Sequence, residues 1–162
     1  MDIKIKVGVV IVNNQNQALL LKEKTGNQPI FLWNIVKGTY GDCGQESLFE
    51  AAVRECLEEA GAETELISFL GCRVTHDYKA SKIRVQFNFL AKIVGGVPTL
   101  ASPEEQQSRG ENINELKWFS KESLANIGSG EFISLRAYNA VQDWLSGKSY
   151  PLDAVRVELS AI

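Results

Sequence analysis

Hydrophobic and polar residues alternate along the first segment of the chain. Its apolar residues occupy every second position: Ile3, Ile5, Val7, Val9 and Ile11. A period of two predicts a β-strand with one face in a core. The Asn-rich turn 13–16 leads to a second predicted strand, Ala18 to Glu23. A loop from Thr25 to Pro29 and a short third strand from Phe31 to Val36 follow.

The second half of the chain continues with strands and ends in a helix. Strands are predicted at 66–76 and 83–94, and the second of these again alternates apolar and polar residues. Residues 95–112 are predicted to be a polar loop, before a strand from Leu116 to Phe119. Apolar residues three or four positions apart mark an amphipathic helix that ends at Gly147: Leu135, Tyr138, Val141 and Leu145. This order of elements predicts an α+β fold with a mixed sheet.

Between these halves, residues 47–61 predict a helix with two chemically different faces. Ser47 and Glu50 have the spacing of a capping box at its start, and Gly61 can end it. One arc is apolar and is predicted to enter the core: Phe49, Val53, Cys56, Leu57 and Ala60. The other arc is acidic, since residues at i, i+3 and i+4 share one side: Glu55, Glu58 and Glu59.

Three carboxylates on one side of a helix repel one another. Such like-charge pairs each cost roughly a few tenths of a kcal/mol, and anions near a helix C-terminus also oppose the helix dipole. A hard divalent cation, which prefers oxygen ligands, would offset this repulsion. A solvated acidic face, or a docking face for another protein, is the other interpretation of the same residues.

The stretch around this helix resembles the Nudix box, Gly-x5-Glu-x7-Arg-Glu-U-x-Glu-Glu-x-Gly-U, in which U is a bulky aliphatic residue. Six positions match in register: Glu46, Arg54, Glu55, Glu58, Glu59 and Gly61. The first glycine is displaced, because a tyrosine stands six residues before Glu46 with Gly38 and Gly41 beside it, as if one residue were inserted. The two U positions hold Cys56 and Ala62, which are smaller than the pattern prefers.

The resemblance implies a MutT-like Nudix hydrolase of the α+β class, with a Nudix-type α/β/α sandwich around a mixed β-sheet. Residues 1–162 would form one such domain, with the box at about 38–62. The implied activity is metal-dependent pyrophosphohydrolysis of a nucleoside diphosphate linked to another group, X, such as a nucleotide sugar or a dinucleoside polyphosphate. A MutT-like nucleoside triphosphate pyrophosphohydrolase and a non-catalytic ligand-binding or regulatory module are the alternatives.

The resemblance also implies a site for Mg²⁺ or Mn²⁺. The expected ligands are the helix carboxylates, a loop carbonyl and the carboxylate before the helix: Glu55, Glu58, Glu59, Gly38 and Glu46. Arg54 is expected to orient Glu55, so that Arg54, Glu55 and Glu58 are the catalytic candidates in the box. Glu46 lies before the helix start and is expected to brace the loop against Arg54 or to coordinate through water.

The general base is expected on a downstream loop, as in many Nudix relatives. That segment offers four carboxylates: Glu104, Glu105, Glu111 and Glu115. Glu111 is the first choice and Glu105 the second, because both lie in the predicted loop rather than at the start of a strand. A base within the box, Glu55 or Glu58, is an alternative, and solvated loop charges are the ordinary interpretation of all four downstream residues.

Lys37, Tyr40 and Tyr78 are the candidates for substrate binding. Lys37 stands where Nudix relatives often place lysine or glycine after a proline, which is Val36 here. Tyr40 and Tyr78 have rings suited to stacking on a nucleobase. Tyr78 also lies near the place where a tyrosine marks the dinucleoside polyphosphate hydrolases of the family.

Composition narrows the function classes further. The net charge of −3 provides no basic surface for duplex nucleic acid, and no apolar run reaches the roughly 18 residues of a membrane span. Three cysteines without Cys-x-x-Cys spacing indicate a reducing cytoplasm. The single histidine, His76, excludes a multi-histidine zinc site and argues against a Ser-His-Asp triad. The expected partner is a small nucleotide-diphosphate substrate, and a homodimer is left open.

Overall fold

The computed structural model describes residues 1–158, and the strands within that range pair into one mixed sheet. They are β1 (Asp2–Val12), β2 (Ala18–Glu23), β3 (Leu32–Asn34), β4 (Val36–Thr39), β5 (Glu63–Asp77), β6 (Lys82–Gly95) and β7 (Ile113–Phe119). The sheet order is β3-β2-β1-β6-β5, with β4 beside β1 and β7 beside β2. β1 runs parallel to β6 and antiparallel to β2 and β4.

Helices cover both faces of this sheet. They are α1 (Leu48–Ala60), α2 (Pro103–Arg109), α3 (Lys121–Ala125) and α4 (Leu135–Leu145), with 3₁₀ turns at Ser129–Glu131 and Leu152–Ala154. α1 packs against β1, β4 and β5, whereas α4 packs against β1, β5 and β6. The predicted α+β class with a mixed sheet between helices is confirmed. In the described part of the chain, no helix is long and apolar enough to cross a membrane.

β1 forms the centre of the core because both of its faces are covered. The apolar cluster on the α1 side contains alternate residues of this strand: Val7, Val9 and Ile11. The cluster on the α4 side contains intervening ones: Val10 and Val12. Ile3 and Ile5, which the alternation predicted to be in the core, are exposed instead, because neither cluster reaches that end of β1.

α1 begins and ends where its sequence predicts. The Oγ of Ser47 accepts a hydrogen bond from the Glu50 N–H at 3.2 Å, and the Glu50 carboxylate accepts one from the Ser47 N–H at 2.7 Å. Gly61 ends the helix with a φ of 60°, a left-handed conformation that favours glycine. The capping box therefore fixes the first turn of the helix.

The orientation of α1 differs from the prediction. Its buried residues are Leu48, Ala51, Ala52, Glu55, Cys56, Glu59 and Ala60. Val53 and Leu57, which were predicted to enter the core, are 37% and 56% exposed, and Phe49 is half-buried. The helix rests on its small residues, the alanines and Cys56, and this packing turns two of the three carboxylates inward.

The predicted strand from Phe31 to Val36 is two strands, β3 and β4. The side-chain oxygen of Asn34 accepts a hydrogen bond from the Ile35 N–H at 2.9 Å, which takes the place of a ladder bond at the break. β3 then pairs with β2, while β4 moves to β1. The break therefore brings β4 under the carboxylate side of α1.

The predicted loop at 95–112 contains the helix α2. Ser102 and Glu105 form a second capping box, Pro103 occupies the first turn, and Gly110 ends the helix with a φ of 67°. These residues are recognisable start and stop signals, and the polar composition of the segment concealed them. β7 also begins at Ile113, earlier than the predicted Leu116.

Candidate active site

Most of the predicted site residues line one cleft of about 430 Å³. It lies between α1, β4, the end of β2 and the residues that follow α2, and its lining includes Lys37, Gly38, Glu55, Glu58, Glu59 and Glu111. A larger cavity of about 810 Å³ on another side of α1 presents a mainly apolar surface, to which Phe49 and Leu152 contribute. We therefore take the smaller cleft as the candidate site, because charged and polar side chains line it.

Arg54 holds three carboxylates of this region together. Its Nε and Nη2 donate to the two oxygens of Glu46 at 2.9 and 2.8 Å. Its Nη1 donates to Glu55 at 2.8 Å and to Glu58 at 3.2 Å. The hydrogen bond from Arg54 lowers the pKa of Glu46. Since both oxygens of Glu46 bind Arg54, the geometry matches the bracing role more closely than direct metal ligation.

Glu59 has one carboxylate oxygen without a partner. Its Oε1 accepts a hydrogen bond from the Lys37 backbone N–H at 3.1 Å, whereas its buried Oε2 has no hydrogen bond among the described residues. The side chain is only 3% exposed, and burial raises the pKa of Glu59 well above its usual value, against the opposing effect of the Lys37 charge. Buried polar atoms in proteins almost always have a partner, so this oxygen of Glu59 is a candidate to bind a ligand.

Gly38 gives the Glu55 carboxylate its space. A Cβ at position 38 would overlap the Glu55 side chain, so any larger residue there would displace that carboxylate. Burial raises the pKa of Glu55 to about 7, against the opposing effect of Arg54. Gly38 therefore corresponds to the first glycine of the box. Seven residues separate Gly38 from Glu46, so the loop is two residues longer than the motif and the prediction of a single inserted residue is wrong.

The donor set of the cleft fits a hard divalent cation. It consists of carboxylate and backbone oxygens, with an unpaired oxygen on Glu59 and a glycine that leaves room beside Glu55. Within residues 1–158 no group of three or more metal-binding side chains is already gathered around one point. Arg54 holds Glu55 and Glu58 by ion pairs, while the backbone N–H of Lys37 binds Glu59.

Glu111 is the downstream carboxylate that reaches the cleft. Its Oε1 accepts a hydrogen bond from Arg109 Nε at 3.0 Å, while its Oε2 is buried without a partner in the described part of the chain. Arg109 also donates from Nη2 to the backbone carbonyl of Glu58 at 2.9 Å. Glu105 instead caps α2 through Ser102. The remaining two candidates are exposed and do not line the cleft: Glu104 and Glu115.

Comparison with known proteins agrees with this geometry. The NUDIX domain family matches residues 2–138. The chain belongs to the Nudix family. It is similar to Nudix hydrolase 2 of Arabidopsis thaliana, with 31% identity over 74 residues that cover 45% of this chain. That match spans only 26% of the relative's own length.

Solved structures show the same Nudix fold. A NUDIX hydrolase from Nitrosomonas europaea has a TM-score of 0.76 at 22% identity, with 96% of this chain and 97% of the other covered. A UDP-X diphosphatase has a TM-score of 0.63 at 20% identity, with 93% and 67% covered. The predictions of family and fold are confirmed.

Several residues that line this Nudix cleft were not predicted from the sequence, among them Arg109, Lys6 and Glu23. The Lys6 ammonium donates to Thr39 Oγ1 at 2.6 Å, and burial, with the nearby charge of Lys37, lowers the pKa of Lys6. Glu23 is buried at the end of β2, where Asn34 Nδ2 donates to it at 2.6 Å. The alternation in β1 places Lys6 on a polar face, but nothing in the apolar run before Glu23 indicates a buried carboxylate.

The structure does not bring the two candidate tyrosines to the Nudix cleft. Tyr40 packs against the apolar cluster under α1 and lines a separate cavity with Gln45 and Ser47. Tyr78 is 82% exposed near the turn between β5 and β6, where its ring lies 3.9 Å from that of His76. Of the three predicted substrate-binding residues, Lys37 is the one that lines the cleft.

Proposed function

We propose that this Nudix chain is a divalent-metal-dependent pyrophosphohydrolase that cleaves the diphosphate of a nucleoside diphosphate linked to X. The observation that carries the proposal is a pair of buried carboxylate oxygens at the same cleft, one on Glu59 and one on Glu111, which have no hydrogen-bond partner within residues 1–158. The free oxygen of Glu59 is suited to binding a cation, and that of Glu111 is suited to accepting a proton. Hydrolysis of a phosphoanhydride needs both functions.

Glu55, Glu58 and Glu59 are the residues that would hold Mg²⁺ or Mn²⁺. When bound, such an ion neutralises phosphate charge and lowers the pKa of water. Arg54 keeps Glu55 and Glu58 in place through its hydrogen bonds and fixes them to the loop that contains Glu46. Glu55 and Glu58 therefore depend on Arg54 for their position, whereas Glu59 is held by the backbone N–H of Lys37.

Glu111 is proposed to accept a proton from the attacking water. Its Oε1 is held by Arg109, which leaves Oε2 free to take the proton. Because Arg109 also binds the carbonyl of Glu58, the base and the carboxylates of α1 keep a fixed distance. The expected role for Glu111 thus stands as a proposal with a geometric basis.

Water is proposed to attack phosphorus directly. Cys43 lines the cleft, but the chain's single histidine, His76, lies on β5 and does not line it, so Cys43 has no histidine base. Lys6 provides positive charge at the same cleft for the phosphate oxygens. The bond between phosphorus and the bridging oxygen breaks, and the bridging oxygen leaves with the second phosphate.

The substrate class follows from the family and remains a proposal for this chain. One protein of similar fold is a UDP-X diphosphatase. We propose for this chain the more general substrate class, a nucleoside diphosphate linked to X. The cleft has about 430 Å³, within the usual range of roughly 300–1,000 Å³ for ligand sites. The identity of X is left to experiment.

The test is a hydrolysis screen with Mg²⁺ or Mn²⁺ in ¹⁸O-water. Nucleotide sugars, dinucleoside polyphosphates, ADP-ribose, NADH and nucleoside triphosphates are each incubated with the protein, and products are identified by mass spectrometry. We expect ¹⁸O on a phosphate product with a compound of the X-linked class. Glu58→Gln should reduce turnover about 10²-fold, whereas Glu65→Gln, an exposed carboxylate on β5, should not.

Each other outcome selects a different function. Turnover of nucleoside triphosphates alone would establish the MutT-like alternative. Nucleotide binding without turnover under any of these conditions would establish a non-catalytic module. Label on carbon, or a trapped phosphoryl-protein adduct, would contradict direct attack of water on phosphorus.

A further inference from the structure

Lys6 on β1 and Thr39 on β4 form a polar pair at the candidate cleft. The two residues are partners in the antiparallel pairing of β1 with β4, and both line the cleft. The Lys6 ammonium donates to Thr39 Oγ1 at 2.6 Å, and both residues are half-buried. The register of the two strands therefore fixes the ammonium at this position beside the cleft.

Lys6 differs from the other cationic side chains of the cleft. Each of the others forms an ion pair with a carboxylate: Lys37 with Glu23, Arg54 with Glu46, and Arg109 with Glu111. Among residues 1–158, the Lys6 ammonium forms no ion pair and is bound only to the neutral hydroxyl of Thr39. Asp42, an exposed carboxylate of the same cleft, acts on Lys6 without pairing with it. The charge of Lys6 is therefore available to an anion that enters the cleft.

The hydroxyl of Thr39 adds a second donor at the same place. Because its oxygen accepts the hydrogen bond from Lys6, its hydrogen is free to turn toward another acceptor. The Lys6 ammonium likewise keeps donors that Thr39 does not occupy. The pair can therefore donate to the oxygens of one phosphate from the ammonium and the hydroxyl together, and hydrogen bonds of this kind are strengthened by charge.

This pair lies next to the carboxylates that are proposed to hold the metal. Thr39 directly follows Gly38 in β4, and Gly38 is the residue whose lack of a Cβ leaves room for the Glu55 carboxylate. A strand advances about 3.3 Å per residue, which is comparable with the spacing of the two phosphorus atoms in a diphosphate. A diphosphate with one phosphate beside Glu55 can therefore reach Lys6 and Thr39 with the other.

We infer that Lys6 and Thr39 form a phosphate subsite that holds one of the two phosphates of the substrate, next to the phosphate at the metal-binding carboxylates. The inference rests on the proposed function and deepens it, because it names two residues that select for a phosphate group beside the attacked phosphorus. The subsite is built from protein donors alone. Inorganic phosphate is therefore expected to bind there in the absence of metal.

The experiment is a titration of the nucleotide-free protein with inorganic phosphate in EDTA, followed by calorimetry and ³¹P NMR. Metal is chelated because an ion in the cleft would itself bind phosphate. Lys6→Met should weaken phosphate binding roughly tenfold or more, and Thr39→Val roughly threefold, since hydrogen bonds from charged donors contribute more than neutral ones. Lys4→Met, an exposed lysine of β1 outside the cleft, is the matched control and should leave the affinity unchanged.

Asp42→Asn tests the subsite in the opposite direction. The substitution removes a negative charge that would repel a phosphate beside Lys6, so it should tighten phosphate binding roughly twofold or more. A gain of affinity cannot come from a variant that fails to fold. Unchanged or weaker phosphate binding in Asp42→Asn would place the bound phosphate away from Lys6.

Nucleoside diphosphates separate a subsite for substrate from a site for free phosphate. ADP and UDP are titrated in the same way, and Lys6→Met should weaken the binding of both by a factor similar to that for inorganic phosphate. A loss that is confined to inorganic phosphate would overturn the assignment of the subsite to the substrate.

The remaining outcomes separate this inference from the proposed function. Absence of phosphate binding in wild type, or an equal affinity in wild type and Lys6→Met, would overturn the inference even if the protein hydrolyses a diphosphate with Mg²⁺. An equal loss in Lys4→Met and Lys6→Met would also overturn it, because it would show a general effect of charge. Phosphate binding with the expected variant effects, but without hydrolysis of any substrate, would contradict only the proposed activity.

Discussion

At the scale of single residues, Arg54 connects two segments that the chain could otherwise move apart. Its guanidinium binds Glu46 in the loop through two nitrogens and uses the third on Glu55 and Glu58 in α1. A planar group with several donors can make these contacts together, whereas the ammonium of lysine is a single compact charge. The loop before α1 thus depends on the shape of arginine as well as on its charge.

Arg54→Lys is therefore expected to lower kcat by roughly 10- to 100-fold, the usual effect of losing a residue that orients metal ligands. Circular dichroism should show an unchanged fold, because the capping box of α1 does not involve Arg54. Arg73→Lys is the matched control, since Arg73 pairs with Asp143 between β5 and α4. Equal kcat values for the two variants would contradict the orienting role of Arg54.

Glu55 should make stability depend on pH when metal is chelated. Its pKa in the folded protein is about 7, above the ordinary value of 4.5, so the folded state binds more protons between these values. Stability from this group is full below about pH 4.5 and is lost as pH rises through 7. The loss is about 3 kcal/mol from the pKa difference.

Urea unfolding of wild type and Glu55→Gln in EDTA, at pH 5 and pH 8, measures this contribution. Wild type should lose about 2.5 kcal/mol more than the variant over this range, because glutamine does not titrate there. The comparison cancels titrations that both proteins share. A parallel pH dependence in the two proteins would show that Glu55 is not the responsible group.

At this scale, the sequence did not allow us to predict which polar residues outside the motif are buried at the site. Glu55, Glu58 and Glu59 could be predicted because their spacing in one helix is local and matches a motif. Glu23 and Lys6 could not be assigned to the site, because their positions depend on how β2 and β1 pair with other strands. The contact between Asn34 and Glu23 is a property of the folded sheet alone.

At the scale of elements, the bounds of α1 were predicted correctly, but the side of the helix that enters the core was not. The capping residues set its ends, and these are local signals. The side that enters the core is chosen by packing, and the small residues of α1 pack against the sheet more closely than Val53 and Leu57 would. The apolar arc was therefore predicted to enter the core, whereas the packed side of the helix includes two carboxylates of the acidic arc, Glu55 and Glu59.

The helix α2 couples the proposed base to α1. Arg109, in its last turn, binds both the Glu111 carboxylate and the carbonyl of Glu58. Gly110 ends the helix in a left-handed conformation, which directs the chain back so that Glu111 N–H bonds the Gln106 carbonyl at 2.8 Å. A short capped helix thus fixes a carboxylate that was predicted to lie in a polar loop.

Arg109→Met is expected to reduce kcat about tenfold with little change in KM, because a loosened base affects the transition state more than substrate binding. Steady-state kinetics of Arg109→Met, Glu111→Gln and the double variant measure this. If Arg109 acts through Glu111, adding Arg109→Met to Glu111→Gln should cause little further loss. Additive losses in the double variant would show that Arg109 acts independently of Glu111.

At the scale of the whole molecule, two apolar clusters hold α1 and α4 on opposite faces of the sheet. The fold class could be predicted because alternation, helix signals and the Nudix motif agreed. The order of strands could not, because the parallel pairing of β1 with β6 joins residues about 80 positions apart. The cleft lies where β4, the end of β2 and α1 meet, and it therefore exists only in the assembled fold.

Because the cleft forms only on folding, a divalent ion that binds there should stabilise the whole protein by mass action. Mn²⁺ at 100 times its Kd would contribute about 2.7 kcal/mol. About 1 kcal/mol moves the Tm of a domain of this size by roughly 2–4 °C, which gives a rise of roughly 5–10 °C. Thermal scans with and without Mn²⁺ measure the effect without nucleotide. The double variant Glu58→Gln with Glu59→Gln should lose most of the rise, whereas Glu65→Gln should keep it. An equal rise in all three proteins would place the stabilising ion outside the cleft.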